Sequence, residues 1–418
     1  MSTTAKYSNY DVVIMGMFRW DGPYSSISIA LAKEFAKTNR VFYLNHPYSL
    51  KDYFSLLKGE EKRARRNALR RGQLHYEKDP QLPDNFHSVF LPITLPINFL
   101  SKGGLYNRLN AFNNHKIQKA IQQLVKEKNI KQFLYVNCFD PYFAPVLKAP
   151  LQPALNIYQC VDDITQEAYI ARHGEYLEEA AIRAADLTLV TSAELYRLKS
   201  PFTPSIHTLN NAADISNFRR AAEESFDRPE ELKGLKGKVI GFFGNLDNLR
   251  MDYPLLKSIA EAHPDKHLLL IGPLNNTEYQ TIGLDQLPNV ILTGPKHISE
   301  LPAYLHYFDC AIIPFLCNKL TRSIYPLKIN EYLSAGKPVI STPFSEDIKS
   351  FGEYIYLAKE PTEFSQQIER AIGEDSKHKR AERIALAGTN TWTARVEQFW
   401  TIVGKQLDEK RAYAPKIS

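Results

Sequence analysis

Four cysteines among 418 residues exclude a disulfide-built scaffold. Cys138, Cys160, Cys310 and Cys317 are widely spread, with no CxxC pair and no neighbouring histidine, so they read as free thiols rather than zinc ligands. Long hydrophobic runs are missing too: no segment approaches the ~20 apolar residues of a membrane-spanning helix. The start of the chain is polar, and the run Val12-Val13-Ile14-Met15 is too short for a secretory signal. A cytoplasmic protein is expected. Net charge is scarce: 52 Lys and Arg against 46 Asp and Glu leave +6, well short of a dedicated nucleic-acid binder, so no nucleic-acid partner is expected. No GxxxxGK[ST], strand-linked GxGxxG, HExxH or GxSxG occurs. These absences argue against a P-loop NTPase, a dinucleotide oxidoreductase, a zinc protease and an α/β-hydrolase.

What the chain has is apolar surface. With 44% hydrophobic and 11% aromatic residues it can bury large cores, and its length predicts two to three domains at about 150 residues each. In the second half, β-rich runs recur at Val239–Gly244, His267–Gly272, Val290–Gly294, Asp309–Phe315 and Pro338–Thr342, their starts 19 to 29 residues apart. That interval holds one strand, one helix and two loops. Runs without polar alternation imply strands covered on both faces, hence a parallel βαβ array whose ligands bind at the strands' carboxyl ends. The first half repeats the alternation at Tyr10–Gly16, Arg40–Pro47, Ser88–Ile93, Gln132–Cys138, Ala154–Cys160 and Leu187–Ser192, with helical spacing over Ser25–Lys37 and Asn107–Lys128. An α/β fold of doubly wound domains is predicted. The strand pattern stops near Asn210-Asn211, and the charged, Gly-containing stretch that follows reads as a linker. The predicted division is 1–213, a linker 214–238, a second domain 239–388 and a C-terminal helix and tail 389–418. In that helix Trp392, Val396, Phe399, Trp400, Val403 and Leu407 form one apolar stripe, which either caps the second domain or braces the first.

Chemistry concentrates between Thr321 and Ile340. Pro326 suits the first turn of a helix ending near Ala335, with Gly336 as its stop and Pro338 opening a strand. Its N-terminus follows an apolar strand, so free backbone N–H groups and the positive dipole end face the ligand edge of the sheet. Thr321, Ser323 and Lys328 add hydroxyls and a cation suited to a diphosphate, and Glu331 is placed to accept hydrogen bonds from ribose hydroxyls. An ordinary amphipathic helix with a surface Glu is the competing reading.

The run Pro326-Leu-Lys-x-x-Glu331-Tyr-Leu-x-Ala-Gly-Lys-Pro-Val resembles the donor domain of GT-B glycosyltransferases of the family 4-like group. It is preceded by Asn289-Val-x-Leu-x-Gly-Pro, Glu300-Leu-Pro-x-Tyr-Leu and Asp309-x-Ala-Ile-x-Pro-Phe. The resemblance extends back through Gly241-Phe-Phe-Gly-Asn245, Leu270-Ile-Gly-Pro273, Leu209 to Phe218, Tyr158 to Asp163 and Ala185 to Ser192. It implies two Rossmann-like domains facing a cleft, a nucleotide-sugar donor held by the second, an acceptor by the first, and a C-terminal helix crossing back. Glu331 matches the second Glu of the family's E-x7-E motif, which holds the ribose, while Ser323 stands where the first Glu is expected. Lys328 and the backbone near Ser323 would meet the pyrophosphate; Gly244, Asn245 and Gly272 sit at strand-end turns near it. Lys296 and His297 fall where the base is usually recognised. No cofactor and no metal are expected, because Lys328 and a helix N-terminus can stabilise the leaving diphosphate.

For acid/base work four residues are candidates. Asp21 follows the first strand, His46 ends the second, and Asp140 and Asp162 each follow a later one. An Asx turn at Asp21 and a structural His46 are the plainer alternatives. Adjacent Asp162 and Asp163 point to opposite faces of an extended chain, so at most one reaches the cleft. Finally, seven cations against two acids between Lys58 and Arg71 give +5 in fourteen residues. On a helical wheel Lys58, Lys62, Arg65, Arg66 and Arg70 share one half, opposite Leu57, Ala64 and Ala68, with Leu69 among the cations. A solvated helix, an anionic membrane or acceptor patch, and nucleic-acid contact stay open, the last without supporting aromatics.

Together these features predict a glycosyltransferase moving a sugar from a nucleotide diphosphate to a glycan or lipid-linked acceptor, a polysaccharide intermediate, from the cytoplasm or the inner membrane face. A nucleotide-sugar epimerase on the same fold and a non-catalytic nucleotide-sugar-binding protein are the alternatives.

Overall fold

The computed structural model describes residues 6–22, 26–55, 63–144, 147, 151–166 and 168–413. The chain divides into two units, Met1–Asn210 with Arg395–Ser418 and Asn211–Ala394. The break falls at the Asn210-Asn211 pair, where the strand pattern ends.

In the first unit eight strands form one sheet: β1 (Asp11–Gly16), β2 (Val41–Asn45), β3 (His75–Glu77), β4 (Phe86–Phe90), β5 (Phe133–Cys138), β6 (Leu155–Cys160), β7 (Leu187–Val190) and β8 (Ile206–Thr208). Their order is β3-β4-β2-β1-β5-β6-β7-β8. All pairs are parallel except the β3/β4 edge pair. Every residue of β2 and β5 is buried, as the unbroken apolar runs require of strands covered on both faces. The helix Ile27–Phe35 starts on Ser26, whose hydroxyl accepts from the Ile29 N–H.

The second unit is an all-parallel sheet of β9 (Lys238–Phe243), β10 (Lys266–Ile271), β11 (Val290–Gly294), β12 (Cys310–Ile313), β13 (Val339–Ser341) and β14 (Tyr356–Leu357). Its order, β11-β10-β9-β12-β13-β14, is the doubly wound 3-2-1-4-5-6 pattern. In both sheets the chain leaves the first strand on one side and returns on the other. The switch points lie between β1 and β5 and between β9 and β12, and ligand crevices open at their carboxyl ends.

One boundary differs from the sequence reading. Residues 214–238 are not a linker: they include the helix Ile215–Glu223, and Phe218 and Leu232 are buried in the second unit's core. An amphipathic helix with a charged outer face looks like a linker when only composition is read. The C-terminal helix, Trp392–Tyr413, braces the first unit. Trp400 stacks on Tyr7 at 5.2 Å and meets Phe35 edge-on, and Lys410 pairs with Asp186 at 2.9 Å. Strands β3, β8 and β14, two or three residues long, carry too little pattern to be read from sequence.

Candidate functional site

In the second unit the carboxyl ends of β9, β10 and β11 converge through glycine. Gly244 donates to the Ile271 carbonyl at 2.8 Å and Gly272 to that of Gly294 at 3.0 Å. The approach is so close that a Cβ on Gly272 would overlap the Gly244 carbonyl oxygen. A Cβ on Gly244 would meet the Lys328 side chain at Cε. Beside these glycines lies a cavity of about 220 Å³ whose walls include Phe218, Phe243, Lys296, Ile298, Lys328 and Glu331.

Lys328 and Glu331 share one face of the helix Leu327–Ser334, which stops at Gly336 in the left-handed conformation, φ +70. Lys328 also borders a second cavity of about 340 Å³ with Asn245, Arg250, Tyr325 and Pro326, in front of the helix N-terminus. Burial holds the Glu331 carboxyl above its ordinary range, and Lys328 offsets this in part. Glu331 Oε2, Ser323 Oγ and both polar atoms of the Asn330 amide are buried without a hydrogen-bond partner. Buried polar groups are normally satisfied; of these orphans Glu331 alone lines a cavity, so its free oxygen faces space that a polar group can enter.

The structure therefore brings Gly244, Asn245, Gly272, Lys296, Lys328 and Glu331 together around two adjoining cavities. It does not bring Thr321 there: Thr321 is buried and forms a capping box with Asn318, its hydroxyl donating to the Leu316 carbonyl. His297 is exposed and pairs with Ser299 at 2.7 Å, while the neighbouring Ile298 lines the cavity instead. Ser323 is buried and is not among the lining residues of either cavity. Lys296 is engaged by Glu231 at 2.5 Å, which also accepts from the Tyr304 hydroxyl; the lysine's bond to Glu231 is the main cause that raises its pKa. Arg250, held to Asp247 at 2.9 Å, is a cation on the wall of the second cavity that sequence reasoning missed. Its sole signal was a basic residue in the loop after an apolar strand.

In the first unit the switch point gathers two residues read separately from sequence. His46, after β2, places Nδ1 2.6 Å from Asp140 Oδ2, after β5. Asp140 is fully buried and its Oδ1 has no partner. The turn that aims it is strained: Phe139 has φ +59, rare for a residue with a side chain. Asn137 holds this turn, accepting from the Asp140 N–H at 2.9 Å and donating to the Asp140 and Phe143 carbonyls. Arg19 fixes the other partner, donating to the His46 carbonyl at 3.1 Å while lying 3.8 Å over the Tyr48 ring. His46 lines a cavity of about 550 Å³ with Pro47, Lys51, Leu95, Phe99 and Tyr142.

Asp21 and Asp162 do not join this pair in the expected role. Asp21 is bound by Arg65 at 2.6 Å, which neutralises the carboxylate proposed as a base. Asp162 is exposed, and its neighbour Asp163 is buried, accepting from the Thr165 N–H and hydroxyl. The basic patch is likewise corrected. Arg65 is buried, bonded to Asp21, to both oxygens of Glu77 and to Tyr48, and stacked 3.6 Å from the Phe90 ring. Burial alone would lower its pKa, but the two carboxylates outweigh this and raise it. Leu69, one turn on, is buried with Tyr48 and Phe90, while Ala64 is exposed. The helix Arg63–Arg70 thus turns its Arg65/Leu69 face inward, the reverse of the wheel reading, because two carboxylates wait there for a cation. Arg70 is exposed and Arg66 half-buried; Lys62 and Lys58 lie outside the described residues.

Residues 237–374 match the family model of glycosyl transferases group 1. The chain is 29% identical over 318 residues, 71% of its length and 78% of the relative's, to TuaH of Bacillus subtilis, a protein assigned to teichuronic acid biosynthesis as a glycosyltransferase. Its fold is similar to α,α-trehalose 6-phosphate synthase from Burkholderia multivorans, with TM-score 0.65, 10% identity and coverage of 97% of this chain and 100% of the other. It is also similar to sucrose-phosphate synthase from Thermosynechococcus elongatus, with TM-score 0.62, 14% identity and coverage of 96% and 100%. The group 1 match falls on the unit whose glycine-lined strand ends and Lys328/Glu331 helix border the two cavities, and the chain as a whole has the GT-B two-domain α/β fold.

Proposed function

We propose that this protein is a glycosyltransferase that holds a nucleotide diphosphate sugar in the second unit and transfers the sugar to a hydroxyl of a lipid-linked or cell-surface polysaccharide intermediate held in the first. The observation that carries the donor assignment is the unpartnered Glu331 Oε2 in the wall of the glycine-lined cavity. A carboxylate there accepts both ribose hydroxyls, and charge-assisted bonds of this kind are the strong ones. Lys328 and the N-terminus of its helix face the diphosphate, Arg250 adds a second cation, and together they stabilise the negative charge that grows as the sugar leaves. On the acceptor side the bond to Asp140 places the histidine proton on Nδ1, so Nε2 of His46 carries the lone pair that orients an acceptor hydroxyl or takes its proton.

The acceptor class is supported by the relative's assignment to teichuronic acid biosynthesis and by the apolar walls of the cavity beside His46, among them Pro47, Leu95, Ile97 and Phe99. Nucleotide sugars are charged and do not cross bilayers, so we place the transfer on the cytoplasmic face. Among the described residues no helix is long and apolar enough to span a membrane. Calorimetric titration of UDP and GDP into the wild type and Glu331→Ala tests the site: substantially weakened binding is expected, and unchanged affinity for both nucleotides removes the donor assignment. Donor incubated without acceptor is expected to be hydrolysed slowly at most; conversion to an epimer would replace the transferase reading.

A further inference from the structure

Between Asp84 and Glu127 the sequence contains no acidic residue, yet it carries Lys102, Arg108, Lys116, Lys119 and Lys126. The same stretch holds four of the nine large apolar side chains that stand exposed among the described residues: Leu95, Phe99, Leu105 and Phe112; a fifth, Leu50, adjoins it through its N–H bond to the Thr94 carbonyl at 2.9 Å. Isolated exposed apolar residues need no explanation, but a group of them does.

The geometry makes this group one face. On the helix Gly104–Glu127, Leu105, Arg108, Phe112, His115 and Lys119 follow at i, i+3, i+7, i+10 and i+14, all exposed, which places them on one side of the helix. Leu105 and Phe112 are 63% and 52% exposed. Phe99, 71% exposed, sits on the loop before the helix, and that loop is tied down. Arg172 donates to the Phe99 carbonyl at 3.1 Å, His173 to that of Leu100 at 2.9 Å, and the Asn113 amide bonds both backbone groups of Leu95. Tied in this way, the loop holds the phenylalanine ring in water instead of folding it onto the core.

We propose that this face docks the protein onto an anionic lipid bilayer. Apolar side chains enter the interface while Lys102, Arg108 and Lys119 meet phosphate headgroups, the combination by which an amphipathic helix lies on a membrane. Leu95 and Phe99 also line the cavity beside His46, so the docked face adjoins the site where a lipid-linked acceptor would be held. The choice of a bilayer rests on that acceptor reading. Vesicle binding needs neither donor nor acceptor, so loss of this surface and loss of the transfer reading are told apart.

The full-length protein is floated with vesicles of phosphatidylcholine containing about one-third phosphatidylglycerol, and with phosphatidylcholine alone. Wild type is expected to bind the anionic vesicles and to bind the neutral ones far less. Leu105→Ser/Phe112→Ser and Arg108→Glu/Lys119→Glu are each expected to lower binding to anionic vesicles by about tenfold or more. Because all four side chains are exposed, both variants should keep the wild-type melting temperature and UDP or GDP affinity. Wild-type protein that ignores anionic vesicles, or variants that bind them as well as wild type, would overturn the proposal. So would a wild-type dimer in sedimentation velocity that Leu105→Ser/Phe112→Ser converts to monomer, which assigns the face to a second copy of the chain.

Discussion

His46 Nδ1 and Asp140 Oδ2, 94 residues apart in the chain, meet at 2.6 Å, and the second carboxylate oxygen of Asp140 is buried with no partner. The contact fixes the orientation of the imidazole. Asp140→Asn, close to isosteric, is expected to lower transfer about 10²- to 10⁴-fold while leaving calorimetric nucleotide affinity unchanged, since Asp140 belongs to the other unit. Single-turnover rates at saturating donor check this; a wild-type rate would reduce the pair to a structural contact.

The strained turn before Asp140 depends on Asn137. Asn137→Ala removes three hydrogen bonds and frees Phe139 to leave its left-handed conformation. A stability loss of about 2–3 kcal/mol in urea unfolding is expected, together with a fall in transfer rate comparable to Asp140→Asn. If the stability falls and the rate per folded molecule does not, the turn serves folding alone.

Glu331 sets binding against stability. Its carboxyl titrates above the ordinary range because burial disfavours the charged form. The free protein therefore loses stability as pH rises from the ordinary carboxylate value through the raised one. Glu331→Gln removes that loss, so the nucleotide-free melting temperature at neutral pH is expected to rise by a few degrees. The ribose loses its charged acceptor, and UDP or GDP affinity is expected to fall roughly tenfold or more. Differential scanning calorimetry with and without nucleotide reads both effects; a variant that melts lower and binds equally well contradicts both.

The two glycines of the donor cavity should respond differently to one methyl group. Gly272→Ala drives a Cβ into the fixed carbonyl of Gly244 and is expected to cost about 3 kcal/mol or more. Gly244→Ala meets the flexible end of Lys328, so the fold survives with a cost of about 1–2 kcal/mol from its φ of +152. Lys328 is then displaced, and diphosphate binding is weakened. Thermal melts paired with nucleotide titration separate the two; equal melting temperatures would mean that the Gly244 carbonyl yields as easily as the lysine side chain.

Arg65 and Arg70 test the inverted helix. Arg65→Ala leaves Asp21 and Glu77 facing each other without a cation and removes a guanidinium stacked on Phe90. With both carboxylates about one-third exposed, a loss of about 2–3 kcal/mol is expected. Arg70→Ala, at an exposed position, should fall within about 0.5 kcal/mol of wild type. Equal effects in chemical denaturation would restore the solvated-helix reading.

Much of this was legible in the sequence. Apolar runs without alternation announced strands covered on both faces, and the observed β1, β2, β5, β9 and β10 are buried almost throughout. Gly336 and Pro338 marked the end of one helix and the start of the next strand, because glycine alone enters the left-handed region freely and proline cannot continue a helix. βαβ periodicity places Gly244 and Gly272 at strand ends on the ligand edge of the sheet, and that they share a site with Lys328 and Glu331 is what the resemblance to GT-B donor domains implies. Thr321 was misread because an N-terminal threonine serves a capping box as readily as a phosphate.

What local pattern determined, then, is which segments are strands and helices and which edge of each sheet carries chemistry, for these follow from periodicity and from the backbone limits of single residues. Tertiary structure alone decided the pairings. Whether Asp140 faces His46, whether Arg65 turns inward to Asp21 and Glu77, and whether residues 214–238 join the second core depend on groups dozens of residues apart. A charge or an apolar stripe states what it needs, a counter-charge or a covered face, and only the folded chain supplies the partner.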